Sequence, residues 1–357
     1  LRTRFHQLDD GTVCQRITPA SIACCPLTML TVSADDLPHA VQTAAQYTFD
    51  LAQEDPCRAW LFKVDDDHHL LLILMHHIAS DGGSIAPMLR DLAEAYNARA
   101  QNRVPAWRPL AVQYADYTLW QQALLGAPDE NDSLVNRQLA WWGDTLHDLP
   151  DELQLPTDRP RPLRASYVGK QCHFAIDART TAALGALARQ HNASLFMVLQ
   201  AALAVLLCRC GAGEDIPIGT AVEGRSDEAL EPLVGFFINT LVMRTDLSGN
   251  PSFVTLLERV RERALAAWEH QDIPFESLVE ALNPARSLAR HPLFQVMLVL
   301  QNVARSDALF NELETVVEMP SLPVAKFDLT FNLEETPEGL RGMVEYAVDL
   351  FDEATVG

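Results

Sequence analysis

The stretch from residue 57 to residue 100 constrains the fold more than any other part of the chain. Two runs, CRAWLFKV at 57–64 and HLLLILMHH at 69–77, carry the apolar residues of strands, and the acidic DDDHH where they meet reads as a turn. Together they predict a hairpin whose second strand is buried and ends at a histidine pair. Beyond a short loop, SIAPMLRDLAEAYNARA repeats apolar residues at Ile85, Met88, Leu89, Leu92 and Tyr96, a helical spacing, with Ser84 as its candidate N-cap. A strand end, a loop and a helix start therefore meet, and the text at the meeting point is MHHIASDGGS.

A chain of 357 residues, 48% of them hydrophobic, can bury a large core, and its length favours two packed lobes. From 148 to 164 the text DLPDELQLPTDRPRPLR concentrates prolines among charges and has neither helix nor strand period. The expected organisation is an amino-terminal lobe at 1–155, a proline-rich linker at 156–164 and a carboxy-terminal lobe at 165–357. Past the linker VGKQCHFAI alternates like a strand, and 179–191, 194–208 and 252–269 read as helices. The last carries Phe253, Leu256, Leu257, Val260, Ala264 and Trp268 on one face. Further strands are expected at PLFQVMLVLQ, KFDLTFNL and LRGMVEYAV. Each half mixes sheet and helix, so the fold class is α/β, of the α+β kind.

Composition narrows the partners. A net charge of -21, from 48 acidic against 27 basic residues, would repel a phosphate backbone and argues against nucleic-acid binding. The best apolar runs, LLLILM at 70–75 and AALAVLL at 201–207, fall short of a bilayer span, so a soluble cytoplasmic domain without membrane contact is expected. Seven cysteines, an odd count without a CxxC pair, suggest neither zinc site nor redox couple and are expected to be mostly buried thiols. The opening LRTRFHQ has no start methionine or leader, which suggests a piece of a longer protein.

The pattern HHxxxDG places His76, His77, Asp81 and Gly82 together. Consecutive strand residues face opposite sides, so one histidine at most faces a given cavity, which disfavours a metal site using both. An imidazole can take or hold a proton near neutrality, as acyl transfer to an amine or hydroxyl requires. Asp81 is placed to anchor the loop through a buried cation. Gly82 and Gly83 let backbone approach a substrate closely, with N–H groups at a helix start for an oxyanion. An isolated histidine pair is more often a hydrogen-bonded strand end, but the spacing to Asp-Gly and the strand-loop-helix setting favour the functional reading. His68 and His69, after Asp65, Asp66 and Asp67, read as a solvated turn.

HHxxxDG resembles the motif of a superfamily of acyltransferases that includes chloramphenicol acetyltransferase. LRTRF at 1–5, YADYTLW at 114–120, VGFFINTLVMR at 234–244, HQDIPFE at 270–276 and RHPLFQVM at 290–297 narrow the resemblance. In order and over almost the whole chain, they are similar to the motifs of a condensation domain of a nonribosomal peptide synthetase. That resemblance implies two chloramphenicol-acetyltransferase-like lobes in a V-shaped pseudo-dimer, with a central tunnel entered by two phosphopantetheine arms. It implies that the amine of a downstream carrier-bound aminoacyl thioester attacks an upstream acyl or peptidyl thioester, with His77 as the catalytic residue supported by His76 and Gly82.

By the same resemblance Asp81 is structural with Arg2 as its partner. Asn239, Ser84 and Gly83 lie near the substrate tunnel, and Trp120 closes a motif of the amino-terminal lobe. Many relatives have tryptophan where Gly83 stands, so a larger local cavity is expected. Core packing is the expectation for Trp120, Phe236, Phe237 and Phe275. No cofactor is bound by the domain itself and no metal; the arms come with upstream and downstream carrier domains, next to an adenylation domain of the same synthetase. Arg159, Arg161, Arg164, Lys170, Arg286 and Arg290 are candidate cations for carrier docking. The alternatives are an epimerisation domain, which VGFFINT disfavours, a non-catalytic docking domain, in which a degraded histidine motif is expected, and a free-standing acyltransferase.

Overall fold

The computed structural model describes residues 1–130, 132–301, 310–318 and 322–357. Packing groups them into two compact units. The first holds Leu1–Thr118, Arg225–Phe237 and, of the described residues, 310–318 and Leu322; the second holds Leu119–Gly224, 238–301 and Pro323–Gly357.

In the first unit β1 (Thr3–Gln7) and β2 (Val13–Ile17) form an antiparallel pair. A three-stranded sheet follows, from β3 (Leu27–Thr31), β4 (Cys57–Lys63) and β5 (His69–Met75), with β3 parallel and β5 antiparallel to the central β4. Parallel neighbours need a crossover, and α1 (Leu37–Ala45) supplies it, laying Leu37, Ala40, Val41 and Ala44 with Trp60, Phe62 and Leu72 of the sheet. The hairpin expected from the sequence is β4–β5. Its turn is held by the Asp65 carboxylate, which accepts the N–H groups of Asp67 and His68, and both His68 and His69 are exposed. After the histidine loop comes α2 (Ile85–Ala100), the helix that the apolar spacing predicts.

The division between units falls within α3 (Tyr114–Leu125). In the second unit α4 (Leu134–Thr145), β6 (Gly169–Asp177), α5 (Ala178–Gln190) and α6 (Leu195–Arg209) precede β7 (Asp215–Val222). After the excursion of 225–237 into the first unit come β8 (Asn239–Asp246), α7 (Phe253–Glu269), α8 (Phe275–Leu282), β9 (Val296–Gln301), β10 (Leu329–Thr336), β11 (Gly339–Ala347) and α9 (Glu353–Val356). The strands make one mixed sheet in the order β6-β11-β10-β9-β7-β8. All the strands and helices that the sequence suggests beyond residue 165 form, each within a few residues of its expected bounds.

Two of the helices show why. α6 is apolar on nearly every side and buries Met197, Val198, Leu199, Ala201, Leu203, Ala204 and Leu207, as a core helix must. α7 is amphipathic and buries Leu256, Leu257, Val260 and Ala264. Both start on a serine, Ser194 and Ser252, whose hydroxyl accepts the N–H of the residue three further on. Such caps are worth about 1 kcal/mol each. Among the described residues no single helix is long and apolar enough to cross a membrane.

Packing does not follow a single cut at 156–164. Residues 119–155 lie in the second unit, where Trp142, Leu146, Leu153 and Leu155 are buried in its core. The proline-rich stretch is pinned there as well. Leu153 N–H donates to the Gln295 side chain at 2.9 Å, Arg161 is paired with Asp328 and Glu152, and Arg159 donates to the Val348 carbonyl and pairs with Asp352. The text lacks a period because its polar groups are satisfied by distant partners instead of by a local ladder. Those pairs also commit Arg159 and Arg161 to internal contacts, whereas Arg164, Lys170 and Arg286 are exposed. The cysteines depart from expectation too. Cys57 alone is buried, and Cys24, Cys25 and Cys210 are exposed.

His291 sits in the second unit among Phe275, Phe294 and Phe327, with ring centroids 5.5, 4.6 and 4.7 Å away. Burial pushes its pKa down, against two backbone hydrogen bonds that favour the charged ring. The unfolded chain therefore binds a proton at His291 more readily than the folded one. The resulting stability is present above the ordinary histidine value of about 6.5 and is lost as pH falls through and below it. Thermal melting of wild type and His291→Gln between about pH 7.5 and about pH 5.5 should show the steeper loss in wild type.

Candidate active site

The histidine loop is built by three local devices. β5 ends at Met75, and His76 adopts an extended conformation that caps a short turn over His77–Ala79. A second turn, Gly82–Ser84, is capped by Asp81 and runs straight into α2. The sequence assigns Ser84 as the N-cap of that helix. Ser84 does occupy the N-cap position, but its hydroxyl makes no cap bond to α2 and is turned into the loop, where Asp81 and Ser84 cap one another reciprocally.

The two histidines hold opposite tautomers. His76 Nδ1 accepts the Ile78 N–H at 3.1 Å, which puts the proton of a neutral ring on Nε2. His77 Nδ1 lies 2.6 Å from the Ser80 carbonyl oxygen. A carbonyl can only accept, so Nδ1 carries the proton, and in a neutral ring Nε2 carries the lone pair. The His77 ring is exposed within its unit and meets the Phe236 ring edge-on at 5.2 Å. His76 packs edge-on to Phe49 at 6.2 Å.

Beneath the loop lies a buried ion pair. Asp81 Oδ1 accepts from Ser84 N–H at 3.0 Å and from Arg225 Nη2 at 3.0 Å, and Asp81 Oδ2 accepts from Phe237 N–H at 2.8 Å. The Arg225 and Asp81 side chains are 8% and 5% exposed. Arg225 Nη1 also donates to the carbonyls of Leu230 and Leu233 and Nη2 to the Ser84 hydroxyl, with the guanidinium 4.1 Å from the centroid of the Phe237 ring. Ser84, fully buried, accepts from the N–H groups of Asp81 and Gly235, and its single proton lies between Asp81 Oδ1 and the Gly235 carbonyl.

This corrects the assignment of Arg2 as the partner of Asp81. Arg2 Nη1 donates to the Thr18 carbonyl at 2.8 Å, and the buried cation is Arg225. Arg225 was missed because a contact spanning 144 residues leaves no local period. The one available signal was a lone cation in EGRSDEALE, among Glu223, Asp227, Glu228 and Glu231. The expected cavity at Gly83 is corrected as well. A Cβ there would lie 2.8 Å from Arg225 Nε, so the guanidinium already fills the space.

Two further motifs are joined to the loop within the same unit. Tyr114, which opens YADYTLW, donates its hydroxyl to the Phe236 carbonyl at 2.5 Å. Burial is the main reason its pKa is pushed up to about 12, so it remains a donor at neutral pH. Its ring lies against Gly235, where a Cβ would come within 2.4 Å of Tyr114 Cδ2, so only glycine fits. Phe237 is core, packed with Tyr117, Leu230 and Leu233. Asn239 belongs to the second unit, where its amide is fully used in a backbone clamp. Nδ2 donates to the carbonyls of Gln271 and Ile273, while Oδ1 accepts from Thr240 and Phe275 N–H groups. Trp120 departs from the expected packing in the core of the amino-terminal lobe, since it belongs to the second unit and is 47% exposed.

Known proteins give this geometry a family. A family profile described as condensation domain matches residues 1–357, and the chain belongs to that family, whose members in nonribosomal peptide synthetases are generally acyltransferase-like catalysts. The dimodular nonribosomal peptide synthase of Bacillus subtilis (strain 168) is 51% identical over 361 residues, 99% of this chain and 15% of that protein. The isonitrile lipopeptide synthase of Mycobacterium tuberculosis is 44% identical over 365 residues, 100% of this chain and 14% of that protein. The chain thus spans about a seventh of each of these relatives.

Among solved structures the X-domain from teicoplanin biosynthesis is 38% identical with a TM-score of 0.90, over 100% of this chain and 80% of that one. It has also been solved in complex with OxyB. Holo-AB3403, a four-domain nonribosomal peptide synthetase bound to AMP and glycine, is 25% identical with a TM-score of 0.80, over 99% of this chain and 27% of that one. The mixed helix-and-sheet architecture is the chloramphenicol-acetyltransferase-like fold of these condensation domains.

Removing one partner of a buried, hydrogen-bonded ion pair strands the other. Arg225→Ala and Asp81→Asn should each lower unfolding free energy in denaturant titrations, by about 3–5 kcal/mol for a full break of the pair. Arg2→Ala should change it by less than about 0.5 kcal/mol. Gly83→Trp should also destabilise, because its side chain must displace the Arg225 guanidinium.

Proposed function

We propose that this domain joins two carrier-bound groups through an amide bond. The amine of a downstream aminoacyl thioester attacks the carbonyl of an upstream acyl or peptidyl thioester, and both substrates are delivered on phosphopantetheine arms by carrier domains next to an adenylation domain in one cytoplasmic synthetase. The observation that carries the reading is the His77 tautomer. With Nδ1–H held by the Ser80 carbonyl, the Nε2 lone pair of an exposed ring is available to an incoming amine.

The chemistry asks little more of the protein. An α-amino group has a pKa near 8, so a useful fraction is unprotonated near neutrality, and a thioester is an activated acyl donor. As the C–N bond forms, the nitrogen becomes more acidic and its proton passes to His77 Nε2. The tetrahedral centre then collapses, the C–S bond breaks, and the departing thiolate takes up a proton. His77 acts as a base in this scheme, or as a positioning group that holds the amine in line, both recognised contributions to rate. The intact HHIASDG text supports a catalytic domain over a recruitment domain, and VGFFINT supports condensation over epimerisation.

A second reading is favoured by the likeness to the teicoplanin X-domain, solved in complex with OxyB, which suggests a recruitment domain of the same fold. One experiment separates the two. With the full-length synthetase and both carriers preloaded, single-turnover amide formation by His77→Ala should fall by about 100-fold or more. Loading of both carriers should be unchanged. If His77 is the base, His77→Gln should be almost as slow as His77→Ala, and the wild-type rate should drop on acidification; if it positions, His77→Gln should retain much of the rate. Equal rates in wild type and His77→Ala would replace the condensation reading with recruitment.

A further inference from the structure

The parallel pairing of β3 with β4 sets Leu27 opposite Ala59, and the ladder begins one residue earlier, where Ala59 N–H donates to the Pro26 carbonyl at 2.9 Å. Carrying that register two residues back sets Cys25 opposite Cys57. Residues two apart on a strand share a face, and neighbouring strands lie about 4.7–4.9 Å apart. That spacing falls inside the Cα separation of about 4.4–6.8 Å that a disulfide requires. The sulfurs have already met, with Sγ to Sγ at 3.2 Å. Closing to a covalent bond of about 2.05 Å needs a movement of about 1 Å shared between two side chains.

The two thiols are unequal in a way that suits exchange chemistry. Cys25 is exposed and Cys57 is buried. The sulfur–sulfur contact with Cys57 is the main influence drawing the Cys25 pKa down, burial opposes it, and the nearby Arg58 charge adds to the lowering. The same contact, with burial, pushes the Cys57 thiol up. When the pair loses a proton, the exposed Cys25 is the sulfur favoured to carry the charge and the buried Cys57 the one favoured to keep its proton, an attacking and a resolving thiol.

We propose that Cys25 and Cys57 form a thiol–disulfide exchange site whose substrate class is low-molecular-weight disulfides such as oxidised glutathione. The Cys25 thiolate attacks one sulfur of glutathione disulfide, the S–S bond breaks, and one glutathione leaves as thiolate. Cys57 gives its proton to that thiolate and attacks the Cys25 sulfur of the mixed disulfide, expelling the second glutathione. Two protein thiols are oxidised and one glutathione disulfide is reduced to two glutathiones, with no other reactant. The product bond ties the start of β4 to the segment before β3. The residue before Cys57 is Pro56, whose carbonyl accepts the His76 N–H at 3.1 Å, so the bond fixes the ground on which the histidine loop stands.

The full-length protein is incubated with oxidised glutathione, quenched with an alkylating reagent and mapped by peptide mass. A linked peptide pair through Cys25 and Cys57 is expected, reversed by dithiothreitol. Wild type should release two more glutathiones per chain than Cys25→Ser. Cys57→Ser should stop at a stable glutathione adduct on Cys25, and Cys24→Ser should behave as wild type. Because Cys25 is exposed, the comparison of wild type with Cys25→Ser decides the matter even if Cys57→Ser fails to fold. Glutathione retained on Cys25 of the wild type with Cys57 alkylated as a free thiol, or a link through Cys24 in place of Cys25, overturns the proposal.

Discussion

Taking an aspartate and an arginine out of water costs several kcal/mol per ion, and only close approach with every remaining lone pair and N–H satisfied offsets it. The Asp81–Arg225 pair is embedded in such a set of contacts. Asp81 takes backbone N–H groups from Ser84 and Phe237, and Arg225 gives to the carbonyls of Leu230 and Leu233. Each of these contacts fixes a different piece of backbone. The start of α2, the turn at 228–230 and the Gly235–Phe237 strip are thereby referred to one charged centre. Such a pair is weak as a source of stability compared with an apolar core, but it tolerates few alternative geometries. The His77 ring inherits that definition. Its Nδ1 partner, Ser80, precedes Asp81, and the Phe236 ring that flanks it precedes Phe237, whose N–H Asp81 holds.

Much of the fold was legible because its signals are local. The β4–β5 hairpin announced itself through apolar runs about an acidic turn, and α7 through the apolar residues repeated along one face. The order of motifs likewise carried the family, since each motif is a contiguous string. What escaped is long-range. Arg225 is one cation in an acidic stretch, and nothing around it points to a carboxylate on another segment. Arg2 looked eligible because its string resembles a motif, yet its guanidinium serves the neighbouring Thr18 carbonyl. Gly83 was read as empty volume, although absence of a side chain shows only that something else stands there. The same limit applies to 156–164, where proline content mimics a linker while Arg161 is held by Asp328 and Glu152.

Asn239 shows how a motif residue can be important without facing a ligand. Its amide joins β8 to the strip before α8, with both donors and the acceptor engaged by backbone. Sequence order alone makes such a residue look like a site residue, because strings of this kind mix groups that react with groups that hold. Hydrogen-bond bookkeeping separates them. His77 keeps an unpledged lone pair by virtue of its tautomer, while Asn239 has spent its amide on the backbone.

The sequence distance inside the buried pair also sets a schedule for the chain as it is made. Asp81 and Arg225 are 144 residues apart, and a ribosome adds about 5–20 residues per second, so the carboxylate waits about 7–30 s for its cation. During that interval the turn between β5 and α2 has no counter-charge for Asp81. The ion pair under the histidine loop therefore cannot close until residue 225 has been made, although the loop lies near the beginning of the sequence.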